Sequence, residues 1–159
     1  MKVKFFNPGK EFEINQELYK SVWMDVRMRG DLILRKDVEE FEKAFAEYIG
    51  VKYAVGLNSG TDALFIALKA IGIKAGDKVL VPSHTFVATA QVVAQLGAEV
   101  ILYYLDEEIT FVNDDVSAII VAHIAGEFQV NDMERLIGNA RVMGIPIIED
   151  ACQALGATQ

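Results

Sequence analysis

Cysteine is almost absent from this chain of 159 residues: Cys152 stands alone. A single thiol allows no intrachain disulfide and no Cys-based metal centre. Histidine is nearly as scarce, with His84 and His123 the only two, too few for a typical His-built metal site. Positive charge is outweighed, 15 Lys and Arg against 23 Asp and Glu. The net charge of -8 argues against nucleic acid, whose phosphates require clustered basic residues. No apolar run is long enough to span a bilayer; the longest, Ala118 to Ala125, contains His123. The N-terminus breaks at Asn7-Pro8 before a signal-peptide core forms. A reducing cytoplasm is the expected compartment, with no membrane partner.

What remains is a globular composition, 52% hydrophobic and 24% charged, long enough for one domain with a core. A first helix is expected over roughly Gln16 to Arg29. A second begins at Asp37, with Glu40 completing a capping-box pattern, and ends at Gly50. Strands and helices then alternate. Strands are expected at Tyr53 to Leu57, Lys78 to Val81, Glu99 to Tyr104, Ser117 to Ala122 and Ile145 to Ile148. Helices are expected at Thr61 to Ile71, Phe86 to Leu96, and from Asn131 with Met133, Leu136, Ile137, Ala140 and Met143 on its buried face. The connection Asp106 to Asp115 has no helical period and reads as loop-like. Such alternation implies right-handed crossovers and a mostly parallel sheet, covered on both faces in an α/β/α arrangement.

Three segments carry candidate chemistry. Asn58-Ser59-Gly60-Thr61-Asp62 joins a strand to a helix N-terminus, where open amides and the helix dipole favour an anion. Ser59 and Thr61 add hydroxyl donors and Gly60 permits close approach. The same pattern also fits a plain helix cap at Ser59 or Thr61. Neither a Walker A loop nor G-x-G-x-x-G is present. Pro82-Ser83-His84-Thr85-Phe86-Val87-Ala88-Thr89 follows another strand, where Phe86 either covers a planar ligand or joins the core. His84 reads as a loop or capping residue. Glu149-Asp150-Ala151-Cys152-Gln153 ends the last strand. A carboxylate there needs a partner, either a ligand cation or the amides of the next turn. Adjacent Glu149 and Asp150 face opposite sides of the sheet, which makes them a poor acid/base pair. His123 reads as a satisfied core histidine and Cys152 as a packing residue.

Jointly these segments resemble the DegT/DnrJ/EryC1/StrS family of pyridoxal-phosphate-dependent sugar aminotransferases, which have the type I aminotransferase fold. The resemblance starts near Ile33-Leu34 and Val38-Glu39-Glu40-Phe41-Glu42 and runs to the last residues. It implies a segment and helix over 1–35, then an incomplete large domain over 36–159. It also implies that Ser59, Gly60 and Thr61 hold the phosphate of pyridoxal 5'-phosphate and that Phe86 stacks on its ring. Asp150 would pair with the ring nitrogen and keep it protonated, and Gln153 would bond the phenolic oxygen. His123-Ile124-Ala125-Gly126 matches a histidine-to-glycine segment of the family loosely.

The departures are as informative. The family's Schiff-base lysine lies in a later Ser-Phe-x-x-x-Lys segment, and the ten lysines here all lie between Lys2 and Lys78. A histidine replaces that lysine in a sugar-dehydrating relative, at a position also past Gln159. The small C-terminal domain of the family is likewise not represented. In the family fold two further strands separate the first strand from the fifth. The remaining four are expected in the order third, second, fourth, fifth, with an open edge beside Ile145 to Ile148. The Tyr53 strand shifting over, a second copy of the chain, or a complementing chain would each cover that edge. Three functions are therefore expected to compete: part of a nucleotide-sugar aminotransferase acting as a dimer or split enzyme, a non-catalytic binding module, and an interaction protein.

Overall fold

A computed structural model describes residues 7–30, 33, 35–104, 115–126 and 130–157, with backbone alone for 130–133. Two compact units divide the chain, Met1–Gly56 and Leu57–Gln159.

The first unit holds α1 (Pro8–Arg29) and α2 (Lys36–Ile49). The α1 helix starts eight residues before the apolar periodicity suggests, because Asn7 caps it and Pro8 occupies its first turn. A capping box at Asp37 does not form. Arg35, in an extended conformation, is the N-cap of α2, its carbonyl accepting from the Val38 and Glu39 amides. Asp37 lies inside the helix and pairs with Arg29 at 2.8 Å. Gly50 closes α2 in the left-handed conformation, φ 79°. The expected strand at 53–57 is absent. A strand is defined by its ladder; Tyr53, Val55 and Leu57 have none and stay exposed. The Gly56 amide instead donates to Glu42 Oε1 at 2.6 Å.

The second unit is built on four parallel strands: β1 (Lys78–Pro82), β2 (Glu99–Tyr103), β3 (Val116–Ala122) and β4 (Ile147–Asp150). Their order is β2-β1-β3-β4, the order expected from the sequence for these four. Three helices cover the sheet, α3 (Gly60–Ala70), α4 (Val87–Gln95) and α5 (Val130–Met143). Strand alternation sorts the core into two layers. Val79, Val81, Ala118 and Ile120 pack with Leu64 and Leu68 of α3 and Val92 and Val93 of α4. Leu80, Ile119 and Val121 face the other way, against Leu136 and Ala140 of α5. Each such fully buried aliphatic side chain contributes roughly 1.5–3 kcal/mol.

Helix α5 begins at Val130, so Asn131 lies inside it rather than at its cap, and Met143 at the far end is exposed. The last strand runs two residues later than the apolar run indicates. Its ladder with β3 continues through Val121↔Glu149 to Ala122↔Asp150, since pairing depends on backbone register rather than side-chain polarity. Ile147 and Ile148 are only half-buried, and among the described residues β3 is the sole neighbour of β4. The 106–115 connection, Asp115 aside, lies outside the described residues, and no described helix is long and apolar enough to cross a membrane.

Candidate functional site

All four strands point the same way, so the segments leaving β1, β3 and β4 meet at one edge of the sheet. That carboxyl edge is where open α/β sheets bind ligands. A cavity of about 270 Å³ lies there, and it brings together Gly60, Thr61, Phe86, Asp150 and Gln153. Five of the six residues singled out from the sequence thus converge from three separate segments. The sixth, Ser59, does not line the cavity. It caps α3: its Oγ accepts from the Asp62 amide at 3.1 Å and donates to Asp62 Oδ2 at 2.9 Å.

That cap organises the α3 end of the cavity. Ala63 N–H donates to the Ser59 carbonyl and Asp62 N–H to the Ser59 hydroxyl. The Gly60 and Thr61 amides remain as the open donors of the first turn, at the positive end of the helix dipole. The cap and anion-site readings of this motif are compatible, because one hydroxyl caps while two amides stay available. Gly60 also has a steric reason: a Cβ there would stand 3.2 Å from Cys152 Sγ. A side chain at residue 60 would crowd the close approach of the α3 N-terminus to the turn after β4.

Phe86 is the N-cap of α4 and is 70% exposed, so it is not a core aromatic. Its ring borders the cavity, as a lid over a planar ligand must. Beneath it the Thr85 and Thr89 hydroxyls share a 2.9 Å hydrogen bond, one turn apart. Both threonines line the cavity; their i, i+4 spacing at a helix start was the signal for them in the sequence. His84 is exposed and does not line it.

At the opposite end, Asp150 Oδ1 accepts from the Cys152 amide at 3.1 Å. The Cys152 thiol also bonds the Asp150 carboxylate. That bond, and then partial burial, raise the thiol pKa above its ordinary value. Gln153 Oε1 accepts from the Ala125 amide at 2.7 Å, holding Ala125 in the left-handed region at φ 58°. With its oxygen engaged, the Gln153 amide presents its nitrogen as a donor. Among the described residues no lysine lines the cavity and no cluster of His, Cys, Asp and Glu is placed to hold a metal ion.

Two open amides, an exposed ring, a carboxylate and an amide donor surround one cavity. Among known proteins, the DegT/DnrJ/EryC1/StrS aminotransferase family matches residues 14–159. The chain belongs to this family. GDP-perosamine synthase of Caulobacter vibrioides is 42% identical over 131 residues, covering 76% of this chain and 34% of that protein. The solved structure of S. venezuelae DesV superposes with a TM-score of 0.89 at 32% identity, over 98% of this chain and 44% of DesV. The ntda structure from Bacillus subtilis, which holds the cofactor PMP, superposes with a TM-score of 0.81 at 28% identity, over 91% of this chain and 35% of ntda. The chain therefore spans between about a third and less than half of these members of the family.

Proposed function

We propose that this chain is the cofactor-holding part of a nucleotide-sugar aminotransferase, and that its cavity takes pyridoxal 5'-phosphate. The observation that carries this reading is the convergence of Gly60, Thr61, Phe86, Asp150 and Gln153 on one cavity. The donor chemistry fits the group. Two open amides at a helix N-terminus suit a phosphate dianion. An exposed aromatic ring suits a pyridine face. A carboxylate suits a protonated ring nitrogen, and an amide N–H suits a phenolic oxygen. In the family the cofactor serves as an electron sink during amino-group transfer. The contribution of this chain is to bind and orient it, with Asp150 holding the proton on the ring nitrogen. GDP-perosamine synthase among the relatives points to a nucleotide sugar as the substrate class.

Among the described residues no lysine lines the cavity, so its lining is proposed to bind and orient the cofactor without forming an imine with it. Turnover is proposed to require a lysine contributed from outside the described cavity. Titration with pyridoxal phosphate, followed by borohydride reduction and peptide mapping, tests this. Saturable binding with no reduced adduct on any cavity residue is expected. An adduct on a cavity residue, or the lack of saturable binding, would overturn the reading.

A further inference from the structure

His123 is 3% exposed yet lies one residue beyond β3, beside the cavity. It is bonded twice to the end of β4. Its imidazole Nε2 meets Glu149 Oε1 at 2.6 Å, and its main-chain N–H donates to the Asp150 carbonyl at 3.0 Å. The two acceptors are consecutive residues facing opposite sides of the sheet. Glu149 pairs with Val121 and, like it, faces the α5 layer; Asp150 pairs with Ala122 and faces the cofactor cavity. Glu149 and His123 also border a second cavity of about 320 Å³ on the α5 side, together with Arg141.

We infer that the His123–Glu149 pair is a positioning clamp, which grips the strand end from the far face so that the Asp150 carboxylate stays aimed into the cofactor cavity. The inference rests on the proposed cofactor reading, and it explains why a buried imidazole is held by a carboxylate that is otherwise 61% exposed. Among the described residues β3 is the only strand paired with β4, so the end of β4 is fixed from that side alone. The last ladder pair, Ala122↔Asp150, is where β4 would fray first. Two bonds from a single buried residue close that end. Asp150 and Glu149 themselves then act at different levels: the first toward the cofactor, the second only through His123 and the backbone.

Cys152 provides a reporter that needs no cofactor, because its thiol and amide both bond the Asp150 carboxylate. In the cofactor-free chain, Glu149→Ala is expected to release Asp150 and speed Cys152 alkylation roughly threefold, since loss of the carboxylate frees thiolate. Glu149→Gln keeps an acceptor at the same place and is expected to leave the rate unchanged. In parallel, affinity for pyridoxamine phosphate is expected to fall about tenfold in Glu149→Ala, with affinity for inorganic phosphate unaltered. The double variant Glu149→Ala/Asp150→Ala is expected to add little to Asp150→Ala alone. An unchanged alkylation rate in Glu149→Ala, an equal loss of phosphate and cofactor binding, or additive losses in the double variant would overturn the clamp. A wild-type chain that binds no cofactor, while the alkylation rates respond as expected, would sink the cofactor reading and leave the clamp standing.

Discussion

The two ends of the proposed cofactor cavity are built on opposite principles. At the α3 end, Ser59 satisfies the cap and, among the described residues, two amides are left without acceptors, as an anion site requires. At the β4 end three side chains are each held by a protein partner through one oxygen: Asp150 by Cys152, Gln153 by Ala125, Glu149 by His123. The first end supplies affinity through donors that are unpaired in the free chain. The second supplies geometry through groups held in place before any ligand arrives. An anion is recognised by charge and amides from many angles, whereas a ring nitrogen must meet its carboxylate along one line. The open half therefore tolerates a loose fit, and the pre-bonded half does not.

The largest expected effect is on the rigid end. Asp150→Ala removes the charge-assisted bond to the ring nitrogen and is expected to cost about 1.5–3 kcal/mol of pyridoxal phosphate affinity. Inorganic phosphate should bind as before, and competition titrations separate the two. If both ligands weaken equally, the division of labour between the ends is wrong. Gly60→Ala acts where the ends touch, pressing a methyl group toward Cys152 Sγ. A loss of about 1 kcal/mol in affinity is expected, restored in the double variant with Cys152→Ala, which removes the sulfur. Failure of that rescue would show that the close approach is not what requires glycine. The smallest effect belongs to Phe86→Ala, expected to cost about 0.5–1.5 kcal/mol of cofactor affinity. Because the ring is 70% exposed, thermal unfolding of the free chain should not change. A lower melting temperature would place Phe86 in the core after all.

The rigid end also makes a prediction about pH. The Asp150 carboxylate and partial burial raise the Cys152 pKa, so at a given pH the folded thiol carries less thiolate than a free cysteine. Alkylation of the native chain should rise at a higher pH than that of the denatured chain. Asp150→Asn should move the native curve down toward the denatured one.

The convergence of motifs was legible in the sequence because two of them follow strands, β1 and β4, and the third opens helix α3, and in a parallel sheet the carboxyl ends of the strands share one edge. Alternation of strands and helices by itself implies a parallel sheet and no particular order; the order of the four described strands was legible only through the resemblance to the family fold. Elements that depend on partners were not. Tyr53 to Leu57 has strand composition but no neighbouring ladder, so it stays irregular. Polar Glu149 and Asp150 belong to β4 because β3 pairs with them. The Asp37 capping pattern lost to Arg35, whose extended backbone starts the helix two residues earlier, while Arg29 takes the Asp37 carboxylate. The contact between Gly60 and Cys152 and the bond between His123 and Glu149 join residues far apart in the chain. No local pattern announces them; only the strand register brings them together.

The most direct test uses pyridoxamine phosphate, whose amine forms no imine with surface lysines, together with the rate of Cys152 alkylation. The account predicts that pyridoxamine phosphate binds saturably, is displaced by inorganic phosphate, and slows Cys152 alkylation with the same concentration dependence; in Asp150→Ala the binding and the protection of Cys152 weaken while phosphate binding is unchanged. Binding that leaves the Cys152 rate untouched, or that survives Asp150→Ala undiminished, would contradict it.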